Sequence, residues 1–135
     1  MNLDQYMFVP YLDKGRAMSG ADCWGLVRLV LDREFGIQGL PKFGRVGRRQ
    51  QAAMTTGYKR TRELFEPSMP VSGAVAAAFD GDGNFVHCGV VVRSGSCLHV
   101  LHSTEDFGVV IERVGAFEQE QCRQRHSVGY YRYVG

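Results

Sequence analysis

The residue with the clearest chemical potential is Cys23, which opens an apolar run in the stretch SGADCWGLVRLVL, residues 19 to 31. A thiol in the first turn of a helix lies near the positive end of the helix dipole and near unpaired backbone N–H groups, and both favour the thiolate. A thiolate at this position could attack a carbonyl carbon. A lone cysteine in an apolar helix is more often a core residue, so a catalytic interpretation requires a partner.

Histidines could supply that partner, because a thiol nucleophile needs an imidazole base that a third polar group orients. His87 interrupts the apolar run FVHCGVVV, and His99 and His102 lie in the next strand-like run. The RSGS segment between the runs predicts a hairpin that brings one of the later histidines beside His87. A two-residue Ser94-Gly95 loop would place His102 directly opposite His87, whereas a three-residue loop would place His99 diagonally across. The sequence leaves both registers open.

Metal binding is the rival chemistry, because four residues of zinc-ligand type cluster on this hairpin: His87, Cys88, Cys97 and His99. Neighbouring residues on a strand point to opposite faces, so His87 and Cys88 could not both reach one ion without a bulge. We therefore expect no metal and no other cofactor. The cysteines show no C-x-x-C spacing, so we also expect free thiols.

The element that must position Cys23 is a helix predicted over residues 22 to 35, where apolar residues leave only a narrow polar strip. Ser19 stands three residues before Asp22 in a pattern similar to a capping box, and Gly36 stands where a helix commonly ends. Gly25 lies inside the helix, where glycine costs about 1 kcal/mol, and predicts the close approach of another segment or of substrate.

The remaining elements predict an α+β fold. The stretch from 50 to 66 has the composition of a second helix, interrupted by Gly57 and closed by Pro67 and Pro70. Short β-rich runs separated by turn residues follow, and they predict strands over 73–79, 85–93, 96–103, 108–114 and 127–134. Helices followed by an antiparallel meander are typical of an α+β domain, and 135 residues suit one domain spanning the whole chain.

Composition limits the partners. A formal net charge of +2 is too small to indicate nucleic acid or an anionic membrane, although the segment from 42 to 62 is cationic. No segment reaches the roughly 18 apolar residues of a membrane span, and the first residues lack the basic-then-apolar order of a secretory signal. We therefore expect synthesis in the cytoplasm without a signal peptide, and no membrane span.

The motif G-A-DCWGLV, followed downstream by HCGVVV and a histidine on the next strand, resembles the NlpC-type family of papain-like cell-wall cysteine peptidases. The similarity is greatest to phage-tail-associated members, in the opening YLDKGRAMSGADCWGLVRLVLDREFGI and in the strand SGAVAAAF at 72–79. It covers residues 10 to 114. It implies a cysteine-bearing helix packed against a five- or six-stranded antiparallel sheet.

The resemblance also implies roles for individual residues. Cys23 would be the nucleophile and His87 the general base and acid. The family usually places its third, polar residue twelve positions after the first histidine, which favours His99, with His102 as the alternative. Tyr11 matches an upstream tyrosine that lines the site. Asp22 adjoins the nucleophile as it does in the family and is expected with Tyr11 at the substrate and oxyanion side of the site, although its residue type and position predict an N-terminal helix cap.

The activity that the resemblance implies is hydrolysis of amide bonds in peptidoglycan stem peptides, at a D-glutamyl to diamino-acid link. Because no signal peptide is expected, a phage tail protein that reaches the bacterial cell wall on the virion fits better than a secreted enzyme. Other tail proteins would then be partners. The alternative is a tail assembly or structural module with the same fold and little or no hydrolase activity.

Overall fold

The helix that carries Cys23 packs on a six-stranded antiparallel sheet in a computed structural model that describes residues 1–41 and 61–135. The architecture is α+β, as the sequence predicts. The elements in chain order are a 3-10 turn (Asp4–Tyr6), β1 (Arg16–Ala17), β2 (Gly20–Ala21), α1 (Cys23–Phe35), β3 (Phe65–Ser68), β4 (Val75–Phe79), β5 (Phe85–Ser94), β6 (Cys97–Thr104), β7 (Gly108–Arg113), α2 (Val114–Arg123) and β8 (Ser127–Tyr133). No helix in the described ranges is long and apolar enough to cross a membrane.

Helix α1 begins and ends where its sequence predicts. Asp22 is the N-cap and accepts a hydrogen bond from the Gly25 N–H at 2.8 Å, while Gly36 ends the helix with φ 69°. The predicted capping role of Ser19 is wrong, because Asp22 already occupies the cap position. A Cβ on Gly25 would lie 2.0 Å from the Gly15 carbonyl oxygen, so the predicted close approach to the helix comes from the chain itself.

The strands are ordered β3-β8-β4-β5-β6-β7, and β4 to β7 form the predicted meander. All five predicted strands are present with ends within two residues of those expected. The final strand, β8, returns to pair with β4, and β3 pairs with β8 at the edge. The described residues form two buried apolar clusters: the larger one includes the buried residues of α1 and the smaller one includes Phe117 of α2. The sheet thus lies between the two helices.

Two elements differ from the prediction. Phe65–Ser68 is a strand rather than the end of a helix, and its Pro67 is tolerated because β3 is an edge strand. Most of the predicted second helix lies outside the described residues, and within them only Thr61 and Arg62 of that stretch are helical. Helix α2 is absent from the prediction. Its cap residue Arg113 makes no side-chain capping bond, so the sequence carries no start signal there.

The register of the β5–β6 hairpin matches neither predicted option. Ser94 pairs with Cys97 across a two-residue Gly95-Ser96 loop, and the paired positions continue to Val90 and Leu101. Gly95 adopts φ 64°, a conformation that glycine permits at such a turn. The loop therefore lies one residue later than the two-residue option places it. Because the loop still has two residues, His102 stays on the face of His87, but it now lies opposite Gly89 and not opposite His87.

Candidate active site

Asp22 joins the start of α1 to the hairpin before it. Its fully buried carboxylate accepts hydrogen bonds from the Gly25 N–H at 2.8 Å, from the Arg16 guanidinium at 2.6 Å and from the Lys14 N–H at 3.2 Å. The predicted N-cap role of Asp22 is confirmed. With its oxygens engaged in this way, Asp22 fixes the position of Cys23, the next residue, and has no surface with which to contact a substrate.

The Cys23 side chain lies where the regular pairing of the sheet stops. The paired positions of β5 and β6 reach Val90, and the β4–β5 register shifts beside Ala78. At this irregular end of β5, the Cys23 thiol forms hydrogen bonds with both the Cys88 thiol and the His87 imidazole. The expectation from strand alternation concerns one metal ion and allows for a bulge, and it is at such an irregularity that both neighbours contact Cys23. The shared partner is a thiol; among the described residues, no three of the His, Cys, Asp and Glu side chains are grouped to hold a metal ion.

The two thiols differ in their acidity. Burial raises the pKa of Cys23, but hydrogen bonds with Cys88 and His87 and the positive charge of His87 outweigh it and bring the pKa to about 6. Burial raises the pKa of Cys88 well above its usual value, and the hydrogen bond to Cys23 and the charge on Cys23 raise it further. Cys23 is therefore the thiolate of the pair, and Cys88 keeps its proton and donates it in a hydrogen bond.

The second histidine of the site is His102. The Nε2 atom of His87 lies 2.8 Å from the Nδ1 atom of His102, and the Nε2 atom of His102 lies 2.7 Å from a carboxylate oxygen of Glu112. The Phe117 ring, from α2, packs on both imidazoles with centroid distances of 6.2 and 5.0 Å. Burial, assisted by the charge of His87, lowers the pKa of His102 to about 3, so this imidazole is neutral.

His99 does not take the position for which the resemblance favours it. It lies opposite Val92, and its Nδ1 atom lies 3.2 Å from the Cys97 carbonyl oxygen. Because three positions separate His99 from His102 on one strand, their side chains face opposite sides of the sheet. The structure therefore brings Cys23, His87 and His102 together and leaves His99, which the twelve-residue spacing of the family favours, outside this group.

Gly89 explains how His87 and His102 meet. Extended by one residue, the β5–β6 register sets His102 opposite Gly89, two positions from His87 on the same face. A Cβ at Gly89 would lie 2.8 Å from the His102 Cβ and 2.6 Å from the Val100 Cγ1. The missing side chain leaves room for the His102 ring to lean diagonally towards His87. The glycine in the HCG motif is thus part of the site.

Tyr11, which the resemblance places beside the nucleophile, is close enough to Cys23 for the charge of the thiolate to act on its phenol. Its backbone forms a bridge with Ala21, close to the start of α1. Partial burial, together with the negative charges of Cys23 and Glu105, raises the pKa of Tyr11 to about 12. The phenol therefore keeps its proton near the thiolate and can donate a hydrogen bond.

Sequence reasoning misses Glu112 and misjudges Cys88. Glu112 lies in the run GVVIER, where alternation alone identifies it as one of several polar residues on a strand. Its contact with His102 depends on the β6–β7 register, in which His102 pairs with Val110. At the sequence level Cys88 appears only as a member of a metal site that is not expected, so it is given no role. The adjacent pair His87-Cys88 is the signal that could have indicated Cys88, since both residues are able to form a hydrogen bond with the Cys23 thiol.

Neither a family model nor a curated protein matches the sequence. The structure is similar to the crystal structure of the NlpC/p60 domain of the peptidoglycan hydrolase SagA, with a TM-score of 0.55 and 16% identity over 96% of this chain and 91% of that one. It is also similar to an N-acetylmuramoyl-L-alanine amidase from Bacteroides uniformis ATCC 8492, solved at 1.15 Å, with a TM-score of 0.51 and 10% identity over 100% of this chain and 92% of that one. At these identities the similarity shows that the fold is shared.

Proposed function

We propose that this protein belongs to the NlpC-type cysteine peptidases and hydrolyses amide bonds in peptidoglycan stem peptides. The observation that carries the proposal is the hydrogen-bonded series Cys23, His87 and His102, in which a thiol of lowered pKa meets an imidazole oriented by a second imidazole. The fold shared with a peptidoglycan hydrolase domain and with an amidase supports the substrate class.

In the first half of the reaction, the Cys23 thiolate attacks the amide carbonyl carbon and forms a C–S bond. The carbonyl electron pair moves onto oxygen, which backbone N–H groups at the start of α1 can stabilise, including that of Cys23. The oxyanion then collapses, the C–N bond breaks, and protonated His87 gives its proton to the departing amine. The products of this half are a thioester on Cys23 and a free amine.

In the second half, neutral His87 takes a proton from water as the water oxygen attacks the thioester carbon. The C–S bond then breaks, which releases a carboxylic acid and restores the thiolate and the imidazolium. His102 holds the His87 ring in one orientation throughout, because both its hydrogen bond to His87 and the Phe117 ring fix it. Tyr11 is a candidate donor to the substrate, since its protonated hydroxyl group lies close to Cys23.

The bond that we assign is the link between D-glutamate and the diamino acid of the stem peptide. The sequence resemblance to phage-tail-associated members supports this choice, and it also supports action from a phage tail, with tail proteins as partners. A tail module without hydrolase activity is the second candidate. The intact series from Cys23 to His102 favours the enzyme, because a purely structural module has no need of a thiol with a lowered pKa.

The test is incubation of the purified full chain with isolated peptidoglycan, followed by mass spectrometry of the released fragments. We expect fragments with a newly exposed diamino-acid amine. The variant Cys23→Ala should release none while its thermal unfolding stays close to that of the wild type. The matched control is Cys122→Ser, which changes an exposed cysteine away from the site and should keep full activity.

Other results would contradict the proposal in distinct ways. Release of lactyl-free stem peptides with a new L-alanine amine would assign the muramoyl amide bond instead. Unchanged release by Cys23→Ala would remove the thiol from the mechanism. Absence of any fragment from the wild type, together with its incorporation into phage tails, would favour the structural module.

A further inference from the structure

We propose that Glu112 is a positioning residue that fixes the proton order of both imidazoles, so that His87 presents a free lone pair to the Cys23 thiol. The proposal rests on the proposed function, because it assigns Glu112 a part in the same site. It adds a fourth member to the series, one that acts through His102 and does not itself touch substrate.

The geometry is a diagonal line across three neighbouring strands. His102 pairs with Val110 in the β6–β7 register and Glu112 pairs with Val100, so Glu112 lies two positions along β7 from the residue opposite His102. This repeats the diagonal step from His87 to His102 on the previous pair of strands. The His102 side chain is only 6% exposed and the Glu112 side chain is 24% exposed, so the line runs from the interior towards the surface.

The donor and acceptor chemistry of the line has one consistent order. A carboxylate can only accept, so the Nε2 atom of His102 carries a hydrogen and donates it to Glu112. Neutral His102 then has no hydrogen on Nδ1, which must accept from the Nε2–H of His87. The remaining His87 nitrogen, Nδ1, is left for the thiol. One carboxylate thus sets the tautomer of two rings.

The same order serves both protonation states of His87. When Nδ1 takes the thiol proton, His87 becomes an imidazolium and its Nε2–H still donates to His102. No hydrogen bond in the line has to reverse during proton transfer, which is the advantage of a preorganised site. The positive charge that His87 then carries also acts favourably on the Glu112 carboxylate, whose pKa it lowers.

The charged groups that face this line come from three elements. His87 of β5 faces His102, and its charge also acts on Glu112, whereas Glu120 of α2 acts on Glu112 with a like charge. Burial and then Glu120 raise the pKa of Glu112, and His87 lowers it. Glu120 itself accepts a hydrogen bond from the Arg123 guanidinium, whereas Glu112 accepts one from His102.

The test compares Glu112→Gln with Glu120→Gln in the full chain. Glutamine keeps the size of Glu112 but loses the charge, and its amide can either accept from or donate to His102, so both proton orders become accessible. The control removes a nearby negative charge whose hydrogen bond goes to Arg123. Two readouts are measured: the pH dependence of Cys23 alkylation by iodoacetamide, which needs no substrate, and kcat and KM for stem-peptide hydrolysis.

For Glu112→Gln we expect the midpoint of the Cys23 alkylation profile to move to higher pH. We expect kcat to fall about tenfold, a smaller loss than removal of a general base would cause, and KM to change less than about twofold. Glu120→Gln should match the wild type in both readouts. In a His102→Ala background, Glu112→Gln should add no further loss, because Glu112 acts through His102.

A wild-type alkylation profile and wild-type kcat in Glu112→Gln would overturn the proposal, as would an equal effect from Glu120→Gln or an additive effect in the His102→Ala background. Thermal unfolding of each variant separates these outcomes from loss of the fold. If the wild type releases no peptide fragments, the proposed function fails. The alkylation profile still decides the role of Glu112 in that case.

Discussion

The imidazoles of His87 and His102 meet edge to face, with Nε2 of the first 2.8 Å from Nδ1 of the second and an interplanar angle of 75°. Fifteen residues separate them in the chain, and the contact crosses the β5–β6 pair diagonally. Gly89 leaves the space for this contact, and Phe117 covers both rings from the opposite helix. The pair is therefore held by its surroundings, which leaves one nitrogen of His87 for the thiol.

Replacing His102 with alanine should abolish most of the activity, whereas replacing His99 should not. Loss of His102 frees the His87 ring and removes the acceptor for its Nε2–H, so we expect kcat/KM to fall about 100-fold, at the lower end of a general-base contribution. His99→Ala should stay within a factor of about two, because His99 contacts the Cys97 carbonyl on the other side of the sheet. Hydrolysis rates of the two variants check this. Equal losses in both would contradict the assignment of the third residue.

The sequence predicts the helix and strands of the site well, because each carries local signals. The Asp22 cap and the Gly36 stop define α1, and turn residues separate the strands of the meander. The nucleophile and its base could be proposed for the same reason. Cys23 follows a cap, and His87 is a polar interruption in an apolar strand. Both features can be recognised from about ten consecutive residues, without knowledge of the strand register.

The third and fourth members of the series could not be predicted, because they depend on register. A change of one residue in the length of the loop at Gly95 exchanges the faces of a whole strand, and no local signal in RSGS selects between a two-residue and a three-residue loop. Glu112 requires a second register, that of β6 and β7, to be known as well. Helix α2 escapes prediction because its polar surface and uncapped start give weak periodicity.

Removal of the Cys88 thiol should raise the pKa of Cys23. The hydrogen bond with Cys88 is the largest of the influences that lower this pKa, so Cys88→Ala should shift the pH midpoint of Cys23 alkylation upwards from about 6. Cys88→Ser keeps a donor of similar size and should shift it less. The measurement is the rate of iodoacetamide labelling of Cys23 against pH, with peptide mapping. Identical profiles for the alanine variant and the wild type would exclude a role for the Cys88 donor.

His102 should make the fold less stable in mild acid. Its pKa is lowered from 6.5 to about 3 in the folded state, mainly by burial, so the unfolded chain binds the extra proton first as pH falls. Stability is then lost below about pH 6.5, by up to about 1.4 kcal/mol per pH unit. The raised pKa of Glu112 acts in the opposite direction, and only towards the acid end of this range.

Urea unfolding of the wild type and of His102→Asn at pH 7, 6 and 5 checks this expectation. The wild type should lose stability between pH 7 and 5, and the variant should show a flatter dependence, whatever its absolute stability. His99→Asn is the matched control, and it should keep the wild-type slope because His99 lies outside the buried series. An unchanged slope in His102→Asn would show that another group governs the acid response.

Two helical glycines should respond in opposite directions to the same substitution. A Cβ at Gly25 would lie 2.0 Å from the Gly15 carbonyl oxygen, and this atom belongs to the backbone of the segment that Asp22 ties to the start of α1. Because neither backbone can yield without moving Cys23, Gly25→Ala should cost about 1–3 kcal/mol of stability and reduce activity with it. A Cβ at Gly115 in α2 would meet no atom of another segment within 4 Å, so Gly115→Ala should instead add about 0.5–1 kcal/mol and leave hydrolysis unchanged. Thermal unfolding and stem-peptide release are measured on both variants. A stabilised, fully active Gly25→Ala protein would show that the Gly15 backbone does not pack against α1 as closely as the structure has it.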